Sequence, residues 1–367
     1  MIIKKCKGCG AILQNKDSDK AGFIPTLDEN SLYCKRCFRM KHYNELPKIV
    51  ATNDEYEHVI DNVIDKNGLM IFLVDIFAFK STFNKKMIDK LRNKNVILVA
   101  NKYDLFPKST NIEGIVNWLS KECEKIFFRV DAIHIVSSKN GYFIDDLMHT
   151  IDLARRGRNV YFVGCANVGK SSLINALLKR NTSTTEDVIA TSMIPGTTLN
   201  EIYIPFFEDG KYFIDTPGLI NECDVLNMLL PSSYNKVIPN SELKPKTYQI
   251  TDNNAIMMAG LASLEFKCER VSVVVYASKN LYIHRCKSER VSELYQTQLG
   301  KLLNPPSEDE EKNIKYKTEI VKINGNNKKD IWFSGFGFVS IIGKCEIKLT
   351  YIEGTEVYLT DGIIGKF

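Results

Sequence analysis

Gly164-Cys165-Ala166-Asn167-Val168-Gly169-Lys170-Ser171, followed by Ser172, is the stretch from which the rest of the chain is read. Its spacing is a glycine, four residues, then Gly-Lys-Ser. Before it, Asn159-Val160-Tyr161-Phe162-Val163 reads as a short buried strand, and after it Ser172 to Leu178 reads as an amphipathic helix. Strand, glycine-rich turn and helix N-terminus together aim backbone N–H groups and the positive helix end at an anion. In a loop of this spacing the lysine neutralises β- and γ-phosphates and the serine hydroxyl reaches Mg²⁺. Lys170 and Ser171 stand at those positions, with Asn167, Val168, Gly169 and Ser172 completing the cradle. A glycine turn ahead of an ordinary helix is the plain alternative, and the other motifs of the chain weigh against it.

Those motifs lie at the ends of further strand-like runs. Gly68 to Asp75 and Asn95 to Ala100 are apolar runs of the kind buried on both faces of a sheet. The second ends in Asn101-Lys102-Tyr103-Asp104. A carboxylate at Asp104 can accept from N1–H and the 2-amino group of guanine; adenine offers neither donor, so the carboxylate would be left unpaired. Asn101 would help position O6/N7 and the loop, and the Lys102 stem would pack on the ring. The next strand, Val130 to Val136, ends in Ser137-Ser138-Lys139, where the Ser138 N–H could donate to O6. Tyr212-Phe213-Ile214 runs into Asp215-Thr216-Pro217-Gly218, the pattern in which Asp215 holds Mg²⁺ through water and the Gly218 N–H senses a γ-phosphate. Each motif alone could be a polar strand end. Together they imply a GTP/GDP site.

Leu219 follows Asp-x-x-Gly, where a water-orienting glutamine would otherwise stand. An aliphatic side chain cannot orient water, so intrinsic hydrolysis is expected to be slow, with catalysis supplied from elsewhere. Asn167 suggests K⁺ bound beside the α- and γ-phosphates, with the 180–197 loop closing over it; a hydrogen bonder that steadies the loop is the alternative role. Lys170, Asn167 and Thr198 are therefore the candidate catalytic residues. Ser171, Thr198 and Asp215 are the candidate Mg²⁺ ligands, with Thr197 close behind Thr198.

Of the ten cysteines, four form two pairs near the start, Cys6-Lys7-Gly8-Cys9 and Cys34-Lys35-Arg36-Cys37. Two such pairs make a tetrahedral Zn²⁺ site, and in so small a segment the metal would supply much of the folding energy. Residues 1–48 also carry ten Lys/Arg against five Asp/Glu, the whole of the net excess of +5. Basic residues there interleave with Phe38 and Tyr43, as an RNA-contacting surface would; a structural plug on the next domain is the plainer role. The start enters the first cysteine pair directly, which leaves no room for a signal peptide and points to the cytoplasm. No apolar run reaches the roughly 18 residues of a membrane span, so no membrane partner is expected.

The chain of 367 residues has length for two or three domains. The expected architecture is α/β: a Cys₄ zinc module at 1–48, a P-loop GTPase domain with a mainly parallel sheet at 49–225, and a mostly β domain at 226–367. Short β-like runs there include Arg270 to Tyr276, Ile331 to Ile342, Glu346 to Ile352 and Glu356 to Leu359. Pro305-Pro306 and the acidic Glu308-Asp309-Glu310-Glu311 read as a linker or exposed loop.

The order of motifs is unusual, because Asn-Lys-x-Asp and Ser-Ser-Lys precede the phosphate loop and Asp-x-x-Gly follows it. Such an order is that of a circularly permuted GTPase, which a fold tolerates where the cut falls in an exposed connection. Cys₄ module, permuted GTPase and β-rich tail together resemble the YqeH family of ribosome-assembly GTPases. The points of match are Gly164 to Ser172, Pro195-Gly196-Thr197-Thr198, the cysteine pairs and Ser334-Gly335-Phe336-Gly337-Phe338. The resemblance implies a role in maturation of the small ribosomal subunit, with that subunit or its rRNA as partner, and an RNA- or protein-binding C-terminal domain. An RNA-binding or RNA-modifying GTPase acting away from ribosomes is the second reading.

Overall fold

The computed structural model describes residues 4, 12–16, 23–25, 61, 63, 66–181, 194–195, 201–219, 225–325 and 327–364. Cys6, Cys9, Cys34, Cys37, Thr197 and Thr198 lie outside the described residues. The chain divides into two compact units. The first takes the described residues within Met1–Asp75, Thr82–Tyr103 and Trp118–Ile220; the second takes those within Ile76–Ser81, Asp104–Asn117 and Asn221–Phe367.

The first unit is built on a seven-stranded sheet of β1 (Gly68–Asp75), β2 (Asn95–Asn101), β3 (Ala132–Ile135), β4 (Asn159–Gly164), β5 (Ile194–Pro195), β6 (Ile202–Pro205) and β7 (Tyr212–Asp215). Their spatial order is β3-β2-β1-β4-β7-β6-β5. The pairs among β1, β2, β3, β4 and β7 are parallel, whereas β5 and β6 run antiparallel to their neighbours, so the sheet is mixed. β1 is buried along its whole length, as expected of an apolar strand covered on both faces. β6 buries Ile202 and Ile204 while Tyr203 and Pro205 stay half-buried, the alternation of a strand with one covered face.

Helices connect the parallel strands, as that connection requires. The first, α1 (Lys85–Leu91), is capped by Asn84, whose side chain accepts from the N–H groups of Lys86 and Met87. It is followed by α2 (Ile112–Lys125), α3 (Ile144–Arg155) and α4 (Lys170–Asn181). α3 buries Ile144, Leu147, Met148 and Ile151, an i, i+3, i+4, i+7 stripe. α4 buries Leu173, Ile174, Leu177 and Leu178 and starts at the lysine of the phosphate loop.

The second unit is a sandwich of two antiparallel sheets. Its strands are β8 (Lys246–Thr251), β9 (Asn254–Met258), β10 (Ala262–Lys267), β11 (Arg270–Ala277), β12 (Ile283–Lys287), β13 (Leu299–Gly300), β14 (Leu303–Ser307), β15 (Tyr316–Ile323), β16 (Lys329–Phe333), β17 (Gly337–Ile342), β18 (Cys345–Ile352) and β19 (Val357–Asp361). One sheet has the order β12-β9-β10-β18-β15 and the other β19-β16-β17-β11-β8, with β13 and β14 paired separately. Alternation is plain in β18, where Cys345, Ile347, Leu349 and Tyr351 are buried while Glu346, Lys348 and Thr350 are not. The inward residues, among them Leu264, Phe266, Val273, Ile331, Val339 and Leu349, share one core.

The stretch read as a linker is instead part of this unit. Pro305 and Pro306 are buried in β14, and Glu310 is only 4% exposed. Glu310 closes a capping box with Ser307 and also accepts from the Leu230 N–H and the Ser233 hydroxyl. Burial works to raise its carboxyl, but the N–H groups of Ser307 and Leu230 and the Ser233 hydroxyl outweigh burial and hold it below the usual range. Acidic composition suggested exposure; four partnered contacts made burial tolerable.

Candidate functional site

Strand register brings the motif residues to one edge of the sheet. Asp75 of β1 lies beside Asn101 of β2, Leu73 beside Gly164 of β4, and Phe162 beside Asp215 of β7. All four strands are parallel, so their carboxyl ends emerge together, where open α/β sheets place their ligands.

The phosphate loop leaves β4 at Gly164 and enters α4 at Lys170. The Lys170 ammonium donates to the carbonyls of Gly164 at 3.0 Å and Cys165 at 2.9 Å. An ammonium has three donors, so these two bonds aim the group along the loop and leave one donor for an anion. Burial pulls Lys170 below the ordinary lysine range, while the Asp215 carboxylate and the Cys165 thiol pull the other way. Gly169 has φ +99°, and a Cβ there would sit 2.3 Å from Asn101 Nδ2, so a side chain is excluded by conformation and by space. Asn167 also has a positive φ, +64°, and its side chain is exposed with no hydrogen bond among the described residues.

At the base end, Asn101 is 1% exposed and its amide is used on both sides. Its Nδ2 donates to the Val168 carbonyl at 2.9 Å and to Ser138 Oγ at 3.1 Å, and its Oδ1 accepts from the Ser138 N–H at 3.0 Å. Asn101 thus brackets three loops, and the Ser138 N–H expected to face a guanine O6 is engaged by Asn101 in this structure. Ser137 shapes the turn, since its hydroxyl accepts from the Asn140 N–H and its carbonyl from the Gly141 N–H. The Lys102 ammonium pairs with Asp75. Asp75 was missed in the sequence reading although a signal was available: it is a carboxylate ending a wholly apolar strand at the ligand edge.

The Asp-Thr-Pro-Gly element is pinned to the loop. The Thr216 hydroxyl donates to the Phe162 carbonyl at 2.7 Å, and the Ala166 N–H donates to the Leu219 carbonyl at 2.7 Å. Leu219 is 5% exposed, so its side chain packs inward. A Cβ on Gly218 would come within 2.8 Å of Ala166 Cα and N and of Lys170 Nζ, which only glycine avoids. The Ser171 hydroxyl donates to Asp215 Oδ2 at 2.9 Å. A hydroxyl and a carboxylate this close are the hard oxygen donors a Mg²⁺ ion takes, so the residues fit that metal. Among the described residues, no three His, Cys, Asp or Glu side chains cluster to hold a metal.

Comparison with known proteins agrees with this geometry. Residues 159–264 match the family described as 50S ribosome-binding GTPase, and residues 270–363 match the family described as YqeH-like, C-terminal. Over 363 residues the chain is 34% identical to the YqeH protein of Bacillus subtilis (strain 168), covering 98% of this chain and 99% of that one. The chain belongs to the YqeH family. A more distant relative of this YqeH-family chain is NO-associated protein 1, chloroplastic/mitochondrial, of Arabidopsis thaliana, 27% identical over 92% of this chain and 70% of that protein. GTPase Der of Methylococcus capsulatus is 30% identical over 46% of this chain and 36% of its own length. The YqeH-family chain thus carries a P-loop GTPase domain, a class that uses Mg²⁺, followed by a mostly β region. No helix among the described residues is long and apolar enough to cross a membrane.

Proposed function

We propose that the chain is a GTP-binding and GTP-hydrolysing switch that serves maturation of the small ribosomal subunit, on a circularly permuted GTPase fold. One observation carries the nucleotide half of the reading: Asn101 of the Asn-Lys-x-Asp motif is bonded to Val168 of the phosphate loop, which gathers base and phosphate elements at one sheet edge. Asp104 selects guanine, with Asn101, Lys102, Ser137, Ser138 and Lys139 shaping its surroundings. Lys170 holds the β- and γ-phosphates with its remaining donor, and the N–H groups of Asn167 to Ser172 cradle them. Ser171, Asp215 and Thr198 would hold Mg²⁺, which would supply charge neutralisation to the transferred group when bound. Gly218 reports the γ-phosphate. Turnover is slow without a stimulating partner, because Leu219 is buried and aliphatic. Asn167, an exposed residue of the phosphate loop, would share a K⁺ ion.

The ribosomal half rests on membership of the YqeH family; the matched GTPase family is described as 50S ribosome-binding, which names the large subunit, so the choice of the small subunit comes from the family resemblance and not from that match. Two stretches suit rRNA. In the sequence, residues 1–48 carry the whole net positive excess together with Cys6, Cys9, Cys34 and Cys37, which we assign to Zn²⁺. In the sandwich, Lys267, Arg270, Lys322 and Lys344 line a cleft of about 570 Å³, with Glu269 and Glu346 offsetting part of the charge. Such a lining attracts phosphate backbone.

The test is GTP and ATP hydrolysis by the purified chain in K⁺ buffer, alone and with separated small or large ribosomal subunits. Guanine-selective turnover raised by small subunits, with co-sedimentation in a non-hydrolysable GTP analogue, is the expected result. Turnover indifferent to small subunits would overturn the ribosomal reading and leave the GTPase.

A further inference from the structure

We propose that Cys268 and Cys345 of the sandwich form a dithiol site, which a small anionic disulfide closes into a cross-strand disulfide bond. β10 and β18 run antiparallel, with Leu264 opposite Leu349, Phe266 opposite Ile347 and Lys267 opposite Glu346. The next position of that ladder sets Cys268 against Cys345. Residues directly opposite on antiparallel strands have Cα atoms about 4.5 or 5.5 Å apart, and a disulfide takes about 4.4–6.8 Å. The faces agree as well. Leu264, Phe266, Ile347 and Leu349 belong to the sandwich core, and so does Cys345, with Cys268 packed against it. The Cys268 thiol donates to the Ile250 carbonyl of β8, in the opposite sheet, at 4.0 Å, so its sulfur lies on the inner side. Both cysteines are free thiols in the structure.

Access comes through the cleft. Both cysteines line it together with Lys267, Arg270, Lys322 and Lys344, four cations against the carboxylates of Glu269 and Glu346. That surplus draws in a disulfide bearing carboxylates and disfavours a cationic one. Cys268 is half-buried whereas Cys345 is 6% exposed, so Cys268 meets the reagent first. Burial pushes both thiols up, Cys345 to about 12, and the Asp252 carboxylate adds to the rise at Cys268; thiolate is scarce and the exchange slow. In the first step Cys268 gives its proton to water, and its thiolate attacks one sulfur of the small disulfide. That S–S bond breaks and one thiolate leaves. Cys345, deprotonated in turn, attacks Cys268 Sγ, forms the cross-strand bond and expels the second thiolate. The protein dithiol has then lost two electrons and two protons, and the small disulfide has become two thiols. The new bond ties the turn after β10 to the start of β18.

The experiment treats the reduced full chain with glutathione disulfide, blocks the remaining thiols with iodoacetamide and maps the peptides by mass spectrometry. Mapping separates this pair from the rest of the ten cysteines. A peptide pair joined through Cys268 and Cys345 is the expected product. It should form roughly tenfold faster than with cystamine, a cationic disulfide, once each rate is divided by that of a free cysteine peptide. Cys345→Ala is expected to stop at a glutathione adduct on Cys268, and Cys268→Ala to leave Cys345 unmodified. Recovery of both residues as alkylated thiols in the wild-type chain overturns the inference. So does a lasting adduct on wild-type Cys268 without linkage to Cys345, because the two sulfurs would then not face each other. Equal normalised rates for the two disulfides overturn the choice of an anionic reagent.

Discussion

The side-chain amide of Asn101 donates to the Val168 carbonyl at 2.9 Å, joining residues 67 positions apart in the chain. The same amide holds both the hydroxyl and the backbone N–H of Ser138. One buried side chain therefore fixes the phosphate loop against two base-side loops. Removing it leaves the Val168 carbonyl and the Ser138 N–H without these partners, a loss of about 1–3 kcal/mol. Asn101→Ala is expected to weaken GDP and GTP together by tenfold or more. Fluorescent-nucleotide titration checks this, and equal affinity for wild type and variant would remove the bracket role.

The Ser171–Asp215 contact predicts a metal phenotype rather than a folding one. Ser171→Ala deletes one oxygen donor on a half-buried residue and creates no overpacking. GTP turnover should fall by roughly 100-fold, in the range found for loss of one electrostatic contact at a reacting centre. The Mg²⁺ concentration for half-maximal rate should rise, while the melting temperature moves little. A variant with normal Mg²⁺ response would shift the metal elsewhere.

Asn167 is exposed and has a left-handed backbone, a conformation asparagine tolerates better than most residues. The K⁺ reading predicts at least fivefold faster GTP hydrolysis in K⁺ than in Na⁺ at equal ionic strength. Asn167→Ala should erase that ratio while keeping GDP affinity within twofold. Equal wild-type rates in the two salts would end the K⁺ assignment.

Asp330 gives a pH prediction for the sandwich. It is fully buried and accepts from the Ser340 hydroxyl and the Ile363 N–H, and burial pushes its carboxyl up to about 6. A carboxyl raised above its unfolded value of about 3.9 contributes stability that is present below that value and lost as pH rises through 6. The loss is at most about 3 kcal/mol by the usual conversion. Asp330→Asn should therefore gain relative to wild type between pH 4.5 and pH 7.5, read as the difference of their urea midpoints. A constant difference across that range would refute the raised carboxyl.

Much of the first unit was legible because its signals are local. Gly68 to Asp75 is apolar without interruption, and it forms β1 with those same bounds. Lys170 follows a β-strand and opens a helix, as its motif demands. The strand of Val130 to Val136 narrowed to Ala132–Ile135, the edge strand of the parallel part of the sheet, in which only Ile135 is buried. The sandwich was less legible. β8, β9, β10, β12 and β15 passed unnoticed because strands such as β15, with Lys317, Glu319 and Lys322, mix charge into both faces. Glu310 misled for the same reason, its composition suggesting solvent while its partners lay 77 and 80 residues away in sequence.

The sequence by itself determined which chemistry the chain carries: phosphate loop, guanine motif and Asp-x-x-Gly are each contiguous, so the spacing of neighbours suffices to define them. Only the tertiary structure decided how those pieces are held. Strand register set Asp75 beside Asn101 and Phe162 beside Asp215, and burial turned Asn101 into a bracket. It also packed Phe106 against the rings of residues 77, 332 and 338. Contacts of that kind depend on which side chains the folded chain brings within about 4–6 Å, and linear spacing carries no record of them.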